Sequence, residues 1–168
     1  MLANQKKQNY KKIKPWKIII KIPLKDTNAC IKLLTKNNRF ISPWILNIFL
    51  KKNYNYDKFK KPIILYRVKL SDFGFKSATS LDKFYKKIEG KYKLVHPAVA
   101  LYVRNIYDEQ KNGEWLRFAT PMRSMIDTDG VPHLPKLGKA LKRYFIETYW
   151  SYPKAVFHPH NEFIVQKK

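Results

Sequence analysis

Only 12 acidic side chains stand against 35 lysines and arginines in this 168-residue chain, so any fold it adopts must carry a net charge of +23. A field of that size attracts phosphate without regard to base sequence and favours a polyanionic partner. Drift toward AT-rich codons explains part of it, because 29 of the 35 cations are Lys and Ile, Asn and Tyr are abundant. The same drift tolerates Asp and Glu codons, which leaves the shortage of acids unexplained. The charge is also lopsided. Residues 1–69 hold 18 Lys or Arg against Asp26 and Asp57 alone, leaving +7 for residues 70–168.

With 45% hydrophobic and 15% aromatic residues, the chain can bury a core. It predicts one compact α+β domain over residues 15–168, preceded by a flexible basic arm over residues 1–14, where apolar content is almost nil. The lone cysteine, Cys30, excludes an internal disulfide and a Cys-rich zinc ribbon, and reads as a small buried hydrophobe. The first 14 residues lack the apolar run of a signal peptide, and no stretch reaches the roughly 18–20 apolar residues of a membrane span. A soluble, cytoplasmic protein without a membrane span is expected.

The β-branched run Trp16–Leu24 reads as a strand. Asp26 or Thr27 then caps a helix through Lys36, and Ser42 with Pro43 opens a second in which Trp44, Ile45, Ile48 and Phe49 form a buried stripe. Residues 62–70 alternate as a strand. Leu81, Phe84, Tyr85 and Ile88 fall on one face of a helix from Ser80 to Glu89 that Gly90 stops, with Lys83, Lys86 and Lys87 on its outer face. Residues 99–121 read as a hairpin of two strands closed by Asn112-Gly113, and Asp127 to Gly130 marks a further turn. Residues 136–150 read as a short helix before Arg143 followed by an extended segment, and Glu162–Gln166 as a closing strand. The sum is one antiparallel sheet of about five strands with two or three helices.

Phosphate-cradling glycine loops and a G-x-S-x-G elbow are absent, which argues against nucleotide hydrolysis and serine-esterase chemistry. Nucleic acid is instead the expected partner. In the arm, Lys6, Lys7, Lys11, Lys12 and Lys14 would track a phosphate backbone, with Tyr10 free to stack. In residues 51–61, Lys51, Lys52, Lys58, Lys60 and Lys61 alternate with Tyr54, Tyr56 and Phe59, which joins backbone-tracking charge to base-stacking faces. The lack of a recognition helix or zinc finger favours RNA over DNA and a non-enzymatic component of a larger nucleoprotein assembly, with other proteins as further partners. Two alternatives read the chain differently. A small metal-dependent nuclease would draw a divalent cation to His158, His160 and Glu162, joined by Asp127 or Asp129. A basic interaction protein would meet an acidic protein or an anionic surface. Under the leading reading no cofactor is expected.

Overall fold

A computed structural model describes residues 12–168. In chain order its first half runs β1 (Lys17–Ile19), α1 (Thr27–Lys36), β2 (Phe40–Ile41), α2 (Pro43–Lys51), β3 (Ile63–Lys69), β4 (Thr79–Ser80) and α3 (Leu81–Ile88). The second half runs β5 (Tyr92–Lys93), α4 (Pro97–Ile106), β6 (Trp115–Phe118), β7 (His133–Ala140), β8 (Arg143–Trp150), β9 (Val156–Phe157) and β10 (Glu162–Lys167).

The capping signals act where the sequence puts them. Asp26 Oδ1 accepts from Ala29 N–H at 2.9 Å to open α1, and Ser42 Oγ accepts from Ile45 N–H at 3.3 Å to open α2 with Pro43 in its first turn.

Helices and strands are both present, but the five-stranded antiparallel sheet with two or three helices is not what forms. Among the described residues four α-helices accompany an eight-stranded mixed sheet in the order β1-β3-β10-β6-β7-β8-β2, with β5 beside β10, and β4 pairs β9 in a second small sheet. The β10–β6 and β2–β8 pairs are parallel and the rest antiparallel.

Three local causes account for the difference. Residues 97–106, expected to begin a hairpin, are α4, and seven of its ten residues are buried. A helix apolar on nearly every side has no 3.6-residue stripe to betray it, and its valines mimic a strand. Residues 133–150 form the β7–β8 hairpin, turned by Leu141 and Lys142 at φ 49° and 62°, a left-handed pair without the usual Gly or Asn. Strands β2, β4, β5 and β9 span two residues each, too few for any alternation to register.

The sheet separates two apolar clusters. On β10, Ile164 joins a cluster with α1, α2 and α4, whereas Phe163 and Val165 join one with α3. Arg104 of α4 is fully buried and donates through Nη1 to Gln110 Oε1 at 2.5 Å and to the Gly138 carbonyl at 3.4 Å, which ties α4 to the hairpin. Gly138 itself is fixed by sterics, since a Cβ there would fall 2.0 Å from the Trp115 ring. No helix among the described residues is long and apolar enough to cross a membrane.

Candidate nucleic-acid interface

Residues 53–56 are fastened to the start of α1: Tyr54 N–H donates to Thr27 Oγ1 at 3.0 Å and Tyr56 N–H to the Lys25 carbonyl at 2.9 Å. Tyr56 is therefore core, 2% exposed, with its hydroxyl donating to the Ala98 carbonyl at 2.8 Å. It offers no face to a base. Tyr54 is half-buried against Phe49 and His96. The segment turns its aromatics inward and its lysines outward, because burying the rings removes apolar area while the ammonium groups keep their water.

Lys58, Lys60 and Lys61 line an open groove of about 520 Å³ that also receives Lys93 from β5 and Lys167 and Lys168 from the end of β10. Phe59, Pro62 and Ile63 supply its apolar floor, and among the described residues no Asp or Glu side chain lines it. β5 and β10 meet there because Gln166 pairs with Lys93. The last three lysines were missed from sequence. They lie 32 or more positions from Lys61, and only strand pairing brings them to it.

Lys58 Nζ sits 2.7 Å from His96 Nε2 and 4.6 Å from the Tyr54 ring centroid. Burial lowers the Lys58 pKa. Burial, and then the charge of Lys58, hold His96 down to about 4, so its ring is neutral at pH 7.

An adjoining cavity of about 530 Å³ shares Lys93 and Lys168 and adds Lys86 of α3, together with the acids Asp82 and Glu89. Lys51 and Lys52 are exposed at the end of α2 and do not line the groove. Of the expected arm, Lys6, Lys7, Tyr10 and Lys11 lie outside the described residues. Lys12 and Lys14 are exposed, but Ile13 between them packs on the α3-side cluster.

The residues of the metal alternative are not brought together. His158 and His160 stack on each other, ring centroids 5.8 Å apart, and are exposed. Glu162 is engaged by Arg67 on the neighbouring strand. By register Glu162 lies level with Leu137 of β7, four residues from His133, or about 13 Å along the strand. Asp127 bonds that histidine instead. Among the described residues no group of three or more His, Cys, Asp or Glu could hold a metal.

A different cavity, about 630 Å³, opens where α2 begins beside β7 and β8. His133 is 3% exposed at its floor, with Asp127 Oδ2 at 2.8 Å from Nε2 and Thr148 Oγ1 at 3.1 Å from Nδ1. Asp127 Oδ1 also accepts from Asp129 N–H and Val131 N–H, both at 2.9 Å, as the turn reading expects. The hydrogen bond from His133, followed by those backbone donors, lowers the Asp127 pKa despite burial.

Trp44, expected in the core, is 45% exposed and stacks on His133 at 5.6 Å with 24° between the planes. Trp150 pairs with His133 across the hairpin and is 60% exposed. The walls carry Phe40 and the acids Asp129 and Glu147 but, among the described residues, neither Lys nor Arg. One backbone edge also has no strand partner among the described residues. Ser42 N–H donates to the Ile146 carbonyl at 3.0 Å before the chain leaves for α2, so strand alternation turns the amide groups of Thr148 and Trp150 toward the cavity.

Comparison with known protein families, with characterised proteins and with solved structures finds nothing that matches this chain.

Proposed function

We propose that this chain is a non-enzymatic nucleic-acid-binding protein, that it takes RNA in preference to DNA, and that it works as part of a larger nucleoprotein assembly. The observation that carries the reading is the groove in which Lys58, Lys60, Lys61, Lys93, Lys167 and Lys168 converge with no acid among them. Six ammonium groups around one channel are a phosphate-tracking surface. Each phosphate they neutralise releases condensed counterions, and that release drives binding.

The preference for RNA rests on a groove built from strand ends and loops and not from the face of an α-helix. The test is the salt dependence of binding to a mixed polynucleotide. With about 6–10 phosphate contacts, affinity should fall roughly 10³- to 10⁵-fold between 50 and 200 mM salt. A flat response would overturn the proposal. Equal binding of an acidic polypeptide at matched charge would move the partner from nucleic acid to protein.

A further inference from the structure

The groove and the cavity between Trp44 and Trp150 share one end of the sheet. Leu65 of β3 pairs with Gln166 of β10, the β10–β6 and β6–β7 registers carried on from there lead to His133, and His133 pairs with Trp150. The two sites are thus separated by two to four strand intervals, about 10–19 Å.

Their chemistry is complementary in a specific way. The groove gathers cations. Among the described residues no Lys or Arg lines the cavity; Glu147 there is paired with Lys136 at 3.7 Å and Asp127 with His133, which leaves Asp129 as the carboxylate that would repel a phosphate. What the cavity does display is two exposed indole rings, the open amide edge at Thr148 and Trp150, and the acceptor Asp129, whose carboxylate has no hydrogen-bond or ion-pair partner among the described residues. A planar group with an apolar face and a mixed donor and acceptor edge fits that set, and a nucleobase has both. The cavity volume lies in the range of sites that enclose small ligands.

We infer that the Trp44–Trp150 cavity takes a single unstacked base from the same single strand whose phosphates lie in the lysine groove. The inference rests on the proposed nucleic-acid reading and extends it to substrate class: single-stranded, with at least one unpaired base near the groove-bound segment. Buried His133, held on both ring nitrogens, is a positioning residue that fixes the Trp44 plane and does not touch the base. Asp129 would accept from an amino or imino N–H of the base, which favours bases that carry such a donor facing it.

The full chain is titrated with a short single-stranded RNA, with the same RNA carrying abasic sites, and with inorganic polyphosphate, reading both affinity and tryptophan fluorescence. The intact RNA should quench the indole emission and bind more tightly than the abasic RNA, by about 5- to 100-fold, the range for loss of a stacked base. Trp44→Ala with Trp150→Ala should remove that advantage, and Trp44→Phe with Trp150→Phe should restore most of it, at unchanged salt slope. Equal affinity for intact and abasic RNA with a steep salt slope would overturn this inference and leave the groove's function standing. Absence of salt-dependent binding in every arm would overturn both.

Discussion

At one end of the central sheet the lysine groove and the tryptophan cavity face solvent within a few strands of each other, yet they are assembled by different means. The groove is put together from three distant stretches, 58–61, 93 and 167–168, each adding cations that keep their water. The cavity stands on a buried hydrogen-bonded chain, Asp127 to His133 to Thr148, under an indole that is only half covered. The first should be insensitive to small shape changes and sensitive to charge and salt. The second should depend on geometry, and damage to its floor should reach the fold itself.

The largest expected effect falls on the groove. Reversing Lys58, Lys60 and Lys61 to Glu together should cut RNA affinity by about 100-fold or more at physiological salt. Tm should fall only slightly, since Lys60 and Lys61 are exposed and Lys58 gives up its contacts with His96 and the Tyr54 ring. An affinity within about threefold of the parent would dissolve the contrast and locate binding elsewhere.

Next comes the cavity floor. Asp127→Ala leaves His133 Nε2 and two backbone N–H groups without their acceptor, at a cost of about 1–3 kcal/mol, or roughly 2–12 °C in Tm. The salt slope of RNA binding should stay the same, and a changed slope would mean that the two sites are coupled.

Acidification sharpens the comparison from the groove side. His96 has an ordinary pKa of 6.5 when unfolded and about 4 in the fold, so the folded state prefers the neutral ring. Its contribution is complete above about pH 6.5 and is lost as pH falls toward 4. After allowance for solvent screening of a partly exposed group, His96→Gln should reduce the Tm loss between pH 7 and pH 5 by roughly 2–4 °C, measured against the parent in parallel melts. Identical pH profiles would remove His96 from the acid response.

The smallest effect concerns the adjoining cavity. Lys86→Ala should weaken binding about twofold and lower the salt slope by about one unit, if one phosphate passes over α3. An unchanged slope would end the phosphate track at Lys93.

What could be read from sequence followed the reach of each signal. Caps at Asp26 and Ser42, the face of α3 and the Asp127–Gly130 turn are local and act as expected, whereas Gly113 takes its positive φ without closing the expected hairpin, because α4 stands in place of the first strand. Signals that needed neighbours misled. α4 is apolar nearly all round because α1 and the β7–β8 hairpin pack against it, and Trp44 left the expected stripe because His133, 89 positions away, gives it something to stack on. For the candidate site, the 51–61 segment yielded Lys58, Lys60 and Lys61, but Tyr56 turned inward. Lys93, Lys167 and Lys168 join only through the β5–β10 pairing, which a single sequence does not display.

The position of β10 has a consequence for how the molecule comes into being. It follows every other strand in chain order, yet it lies between β3 and β6, inside the sheet. Until residues 162–167 emerge during synthesis, the chain can hold only two half-sheets, β1 with β3 and β6 through β8 with β2, each showing a raw edge to the other. Such late, long-range closure is slow, and exposed edges invite wrong pairing in the interval. The same closing strand delivers Lys167, so the lysine groove is finished only when the sheet is, and a chain that has not yet folded does not present its six lysines together.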